Sequence, residues 1–312
     1  MIARLVSPHV LALAGTVVLW ASAFPAIRVG IDGLGVQALS FLRIVVAAVA
    51  LLLVVPLAKV RLPRHRDLPM IAVCGATGIT AYQILLNWGE VEVAAGTASL
   101  LIATAPVFSV LLGSLFLKER LSLNIVLGSV VAIAGAAIVS LAEGADGFTV
   151  SALIVLAAAL FQGVYHFATK PLLRRYTGLE VATYAMVAGA VLALPLIPAT
   201  WHAARHAPAD ALASAVYLGL LPSALGFVIW AYAVARLPLA ASTAALYLVP
   251  PVALVISLVW LGEVPHPVEL VGGAVSVAGV ILINRRKQPP PPSASEATAS
   301  ERRAASHPVS AR

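Results

Sequence analysis

Charge is what this sequence has little of. Lys, Arg, Asp and Glu make up 11% of its 312 residues, against roughly 25% in soluble domains. The folded chain therefore has too few charged groups to wet an ordinary aqueous surface. Cysteine is almost missing: Cys74 stands alone, which excludes an intramolecular disulfide, and it falls inside an apolar run as a packing residue does. No Gly-Lys dipeptide occurs, so there is no phosphate-binding Walker loop and nothing that suggests ATP drive. A paired-His metal helix and a nucleophile–base cluster are also missing. The tripeptide His65-Arg66-Asp67 has the letters of a kinase catalytic loop but sits in a short basic loop with no kinase context. These absences argue against an enzyme, and no cofactor or metal is expected.

What the chain has instead is apolar sequence. Hydrophobic residues reach 61% and the mean hydropathy is +0.99, so the apolar surface must face lipid. A membrane helix needs about 20 largely apolar residues. Such runs occur at 9–29, 36–57, 68–88, 95–117, 123–141, 149–169, 179–199, 212–235, 239–261 and 267–284, the seventh weakened by Pro195 and Pro198. The first run has a flavour of a signal peptide but no convincing small-residue cleavage site, so it is read as a retained helix. The joining segments leave no room for a soluble domain. Residues 285–312 are rich in Pro, Ser, Ala and charge, and a disordered cytoplasmic tail is expected there.

The formal charge of +7 raises the question of a nucleic-acid partner, but the cations lie where orientation signals do. With the N-terminus inside, the inner segments hold Arg4, the Lys59–Arg66 cluster, Lys118, Arg120, Lys170, Arg174, Arg175, Arg236 and the basic residues of the tail. That is 17 of the 20 Lys and Arg residues. An odd number of spans would destroy this separation. Ten spans with both termini cytoplasmic follow, in an inner (plasma) membrane, with the lipid bilayer and a small molecule as partners and no nucleic acid.

Shifting the chain by 144 residues places Pro106 on Pro250, Leu117 on Leu261, Glu119 on Glu263, Gly128 on Gly272 and Gly135 on Gly279. Two five-span units, 9–141 and 149–284, are expected. Because five is odd, the second unit enters the membrane inverted, an arrangement typical of transporters. The stripes Gly128/Ala132/Gly135 and Gly272/Ser276/Gly279 allow close helix packing. Packing within a monomer is the expectation and a homodimer seam the alternative.

At these residues the chain resembles a known family. WASAFPAIRVG, FLRIVVAAVALLL and ASLLIATAPVFSVLLGSLFLKERLSLNIVLGSVVAIAGAAIV are similar to EamA-type members of the drug/metabolite transporter superfamily. The resemblance covers nearly all of 9–284. It implies an all-α polytopic fold of ten helices in two inverted repeats, with a central cavity lined by spans one, three, four, six, eight and nine. It also implies export of amino acids and related metabolites. The glutamates expected after the fourth and ninth spans are matched by Glu119 and Glu263. The run GEVPHP at 262–267 departs from the more usual basic and polar residues.

The chemistry of such a cavity must come from few side chains. Arg28 lies near the outer end of its span and can snorkel, whereas Arg43 lies about two turns inside span two, where a structural polar pair is the plainer reading and substrate contact the sharper one. No Asp or Glu is deep in a span; Asp32, Glu90 and Glu92 are at outer edges. His166 is the midspan titratable group. Cavity candidates are Trp20 and Ser22; Tyr82, Gln83, Asn87 and Trp88; Gln162, Tyr165 and His166; Trp230; and Ser242, Thr243 and Tyr247. Gln83/Asn87 and Gln162/His166 are each four apart and share a helix face. Pro25, Pro106 and Pro250 bend their spans, and the paired bends at Pro106 and Pro250 are candidates for gating. Alternating-access export of amino acids or similar amphipathic compounds is the leading expectation. A lipid-modifying membrane enzyme and a non-transporting scaffold are its rivals.

Overall fold

The computed structural model describes residues 7–117, 123–142, 150–237 and 239–284, and no β-strand occurs among them. In the described residues the α-helices are, in order, α1 (Pro8–Ala21), α2 (Ala23–Ala58), α3 (Leu68–Cys74), α4 (Tyr82–Gly89), α5 (Ala95–Ile102), α6 (Ala105–Leu117), α7 (Leu123–Ala142), α8 (Val150–Leu172), α9 (Gly178–Leu192), α10 (Ile197–His206), α11 (Ala209–Leu218), α12 (Gly226–Val234), α13 (Leu239–Ala245), α14 (Val249–Leu261) and α15 (Pro267–Asn284).

Among the described residues five helical stretches are long and apolar enough to cross a membrane, or six if the bent pair Gly178–Leu192 and Leu194–His206 is one span. An all-helical chain suits hydrocarbon, because a helix satisfies its backbone hydrogen bonds internally. Large apolar side chains face outward, among them Leu57, Leu115, Phe116 and Val259. In water such a belt would be a liability. In lipid it is the expected surface.

The breaks between helices have identifiable causes. Within α2, Gly35 takes φ 70° and ψ 169°, a backbone that a side chain resists, so the helix changes course there. Pro25 sits in the first turn of α2, where its missing N–H costs nothing, and α1 ends at the preceding break around Ser22. The 47° bend after α9 falls at the 3₁₀ turn Leu194–Leu196, which contains Pro195. Thr177 and Glu180 form a reciprocal capping box that starts α9.

Several irregularities recur at one spacing. A π-helical stretch, Gly75–Ala81, joins α3 to α4, and a second, Gly219–Leu225, joins α11 to α12. Their first residues are 144 positions apart. Pro106 is the second residue of α6 and Pro250 the second of α14, so each proline restarts a helix after a break rather than bending a continuous one. The packing is reciprocal as well: α1 lies against α12 and α14, while α8 lies against α4 and α6. Helices α7 and α15 pack along their small-residue stripes within one chain. Glu119 and residues 285–312 lie outside the described residues.

Candidate functional site

Trp20 is the hub of a buried aromatic cluster between the two halves. Its ring stacks on His166 at 6.3 Å and 10°, and lies 5.4 Å from Trp230 and 5.3 Å from Phe227. His166 is 4.9 Å from Trp230, and Tyr165 meets Phe227 edge-on at 5.4 Å. The Trp20 indole donates to the Pro222 carbonyl at 3.1 Å. In the π-helical stretch that carbonyl is available, since the regular ladder is interrupted there.

Beside this cluster lies a narrow space between the helices. Its walls include Trp20, Tyr82, Ser99, Pro106, Gln162, His166 and Leu246. A second narrow space shares Trp20, Phe24 and Tyr82 and adds Arg43, Leu86, Pro222 and Phe227. The walls are largely apolar with few polar groups, the usual character of a small-molecule site. Gln162 Nε2 and His166 Nε2 are 3.3 Å apart, and Ser109 Oγ is 3.4 Å from His166 Nδ1. Gln162 Oε1, the Trp230 indole nitrogen and the hydroxyls of Tyr165 and Tyr247 are buried without hydrogen-bond partners among the described residues.

Arg43 closes one side of the second space. It is 3% exposed. Its Nη1 donates to Asn87 Oδ1 at 3.2 Å, and its Nη2 to Ser223 Oγ at 3.4 Å, while its Nε has no partner. Asn87 donates in turn to Ser40 Oγ at 2.8 Å, and Ser40 to the Val36 carbonyl at 2.7 Å. The guanidinium is thus held by neutral oxygens alone, and its hydrogen bonds are long.

Not every residue singled out in the sequence joins these spaces. Trp88 is 55% exposed at the end of α4 and stands apart from the aromatic cluster. Gln83 is buried, with both amide atoms unpartnered. Ser22 donates to the Leu19 carbonyl at 2.9 Å and lies 2.7 Å from the Tyr217 hydroxyl. Ser242 and Thr243 are buried on α13, and Thr243 bonds the Leu239 carbonyl. The sequence missed Phe24, Phe227, Ser40, Ser223 and Ser99. A signal existed for two: Phe227 is three residues before Trp230, and Ser40 three before Arg43, each on a shared helix face. Glu90, placed at the edge of its span by the sequence, directly follows α4 and is fully buried there.

Both ends of the bundle carry charged ties between the halves. Arg28 donates to the backbone carbonyls of Glu90 and Val91 at 2.5 and 3.2 Å, and its Nε is 3.8 Å from Glu263. On the other side, Glu180 accepts from Arg61 Nε and Nη2 at 2.8 and 2.9 Å, which raises the Arg61 pKa. Asp67 accepts from Arg175 at 2.5 Å and from the Tyr176 hydroxyl at 2.7 Å. Among the described residues no three His, Cys, Asp or Glu side chains converge on a point.

Comparison with known proteins identifies the architecture. The model of the EamA-like transporter family matches residues 7–141 and again 149–285. A "probable terminal-alkyne amino-acid exporter" of Streptantibioticus cattleyicolor is 67% identical over 279 residues, covering 89% of this chain and 94% of its own. The uncharacterized transporter YdfC of Bacillus subtilis is 38% identical, covering 84% of this chain and 86% of its own. One solved crystal structure superposes with a TM-score of 0.66 at 19% identity, covering 91% and 99% of the two chains, which speaks for the fold alone. The chain belongs to the EamA-like transporter family and is a multi-pass transporter of the plasma membrane, not an enzyme.

Proposed function

We propose that the protein exports amino acids, with terminal-alkyne amino acids as the leading class, and that it does so by alternating access between two inverted five-helix repeats. The observation that carries the reading is the meeting of the Arg43 guanidinium with the aromatic walls around Trp20 and Phe227. A planar cation suits an α-carboxylate, and flat apolar walls suit a slender unsaturated side chain. The 67% identity to an exporter named for terminal-alkyne amino acids supports the same choice.

Ten spans with both termini inside fit the loop charges, and the inverted repeat fits the recurrence of π-helical stretches and helix-restarting prolines 144 residues apart. In this reading the backbone breaks before Pro106 and Pro250 act as hinges at the cavity. The Arg28–Glu263 contact closes the outer side. Gln162, His166, Tyr82, Trp20 and Trp230 shape the binding space.

Reconstitution tests the core of the reading. Liposomes loaded with L-propargylglycine, a simple terminal-alkyne amino acid, should take up labelled propargylglycine by counterflow. Ordinary amino acids of similar size should compete to differing degrees. If neither propargylglycine nor any proteinogenic amino acid exchanges, amino-acid export is wrong.

A further inference from the structure

The transport cavity does not account for one buried charge. Glu90 directly follows α4 and is fully buried, and neither of its carboxylate oxygens has a hydrogen-bond partner among the described residues. The burial has a local cause. Gly89 brings the end of α4 against α8, so closely that a Cβ there would lie 2.3 Å from a methyl of Val155. Glu90 is carried beneath the surface with it. An ionised carboxylate so placed costs several kcal/mol unless it is paired.

The groups around Glu90 are fixed by other bonds. Arg28 spends Nη1 on the backbone carbonyls of Glu90 and Val91, and its Nε faces Glu263. Arg43 is held by Asn87 and Ser223. The neighbouring Glu92 accepts from Ser151 at 2.5 Å. Helix α8 brings no charged side chain between Val150 and Gln162. Burial pushes the Glu90 carboxyl well above the usual carboxylate range, Glu263 reinforces this, and Arg28 and Arg43 oppose it. Asn87, the partner of Arg43, is three residues before Glu90, so the cation and the free carboxyl lie along one side of the end of α4. Arg43 borders the space beside Trp20 and Phe227 and Glu90 lies behind it at the end of α4, so this cation and titratable carboxyl match the two ends of a zwitterion.

We propose that Glu90 is an exchange site, carrying a proton in the empty carrier and yielding it to the ammonium group of an amino acid whose carboxylate rests on Arg43. The idea rests on the amino-acid-export reading. On the cytoplasmic side the arriving ammonium takes the place of the Glu90 proton, which leaves to the cytoplasm. On the outer side the ammonium departs and the carboxylate takes a proton from outside. No covalent bond of the substrate changes. One proton enters per amino acid exported and the zwitterion is neutral, so each cycle also moves one positive charge inward.

The test uses the full chain in liposomes, with labelled L-propargylglycine, an internal pH dye and the membrane potential clamped at zero. Wild-type protein should show counterflow at equal pH. A pH difference of one unit should then drive about a tenfold substrate gradient, as one proton per substrate requires. Glu90→Gln should keep counterflow at reduced affinity but lose the pH-driven gradient, and Glu90→Asp should recover part of it. Absence of wild-type counterflow would sink the export reading itself. Counterflow without pH-driven accumulation, or accumulation that survives in Glu90→Gln, would leave export standing and overturn the role of Glu90. If Glu90→Gln does not fold, infrared difference spectra of the wild type decide. A protonated carboxyl band should be lost when propargylglycine binds, and an unchanged band rejects the exchange.

Discussion

The Ser276 hydroxyl donates to the backbone carbonyl of Ala132 at 3.2 Å, and these two residues are 144 positions apart. The contact therefore joins the two positions that the sequence offset equates. Around it the neighbours are exchanged in the same way. A Cβ on Gly135 would lie 2.3 Å from Ser276 Oγ, and a Cβ on Gly279 would lie 2.5 Å from the Ala132 nitrogen. Helices α7 and α15 meet as two copies of one surface inside one chain. Their small residues are thus spent on internal packing, and the stripe gives no reason to invoke a homodimer seam.

This close approach gives the first prediction. Gly135→Val and Gly279→Val should each destabilise the protein by about 1–3 kcal/mol, the usual cost of overpacking. The nearest atoms are backbone or short side chains and cannot swing aside. Thermal unfolding of the detergent-solubilised protein, followed by fluorescence-detected gel filtration, should show lowered midpoints of similar size. A large shift for one and none for the other would contradict the reciprocal packing.

Much of this arrangement was legible in the sequence. Apolar runs reveal helices because lipid demands them, and the landmarks Pro106 and Pro250, 144 residues apart, both stand at the second position of a helix. The aromatic candidates Trp20, His166 and Trp230 came together, since a polar-tipped ring inside an apolar run has few places to go. What stayed hidden depended on three-dimensional neighbours. Glu90 reads as a residue at the edge of its span, and its burial appears only with the close packing of Gly89 against α8. Trp88 belongs to the same helix end but points away. The π-helical stretches carry no sequence period of their own, so the positions of Ser223 and the Pro222 carbonyl could not be foreseen.

The second prediction concerns the charged tie between Arg61 and Glu180. Glu180 is 3% exposed and accepts from Arg61, from the Thr177 backbone and from the Arg61 backbone. Glu180→Ala removes both the capping box and the clamp on the loop preceding α3. The cap alone is worth about 0.5–2 kcal/mol. Arg61→Ala leaves the cap intact, and Arg61 is largely exposed, so its loss should be the smaller one. The order of the two unfolding midpoints checks this, and a larger loss for Arg61→Ala would reject it.

The third prediction separates the cation of Arg43 from its bulk. If Arg43 holds the substrate carboxylate, Arg43→Gln should raise the KM for propargylglycine roughly 10- to 100-fold, the equivalent of about 1.5–3 kcal/mol for a charge-assisted hydrogen bond. Arg43→Lys keeps the charge but loses the fork geometry and should fall between. Asn87→Ala should mimic a milder Arg43 defect, because Asn87 orients the guanidinium. Counterflow at several substrate concentrations measures all three. An unchanged KM in Arg43→Gln, with protein of normal stability, would make Arg43 a purely structural residue.

The last prediction asks whether the paired helix breaks move. Pro106 follows the break after α5 and lines the cavity, and Pro250 follows the 3₁₀ turn Leu246–Leu248. Each proline occupies the second position of its helix, where it withholds an N–H from the preceding turn. Pro106→Ala, and Pro250→Ala combined with Pro251→Ala, would let α5 run into α6, and α13 into α14, straightening both segments. Stability should rise or hold, because regular helix replaces a break. Exchange should slow several-fold, because the hinges stiffen. A purely structural role predicts the opposite pairing, with stability lost and turnover per folded molecule unchanged. Measuring both quantities on each variant therefore decides between a hinge and a fixed bend, and a variant altered at both breaks that is slower than either alone would tie the two sides of the carrier to one motion.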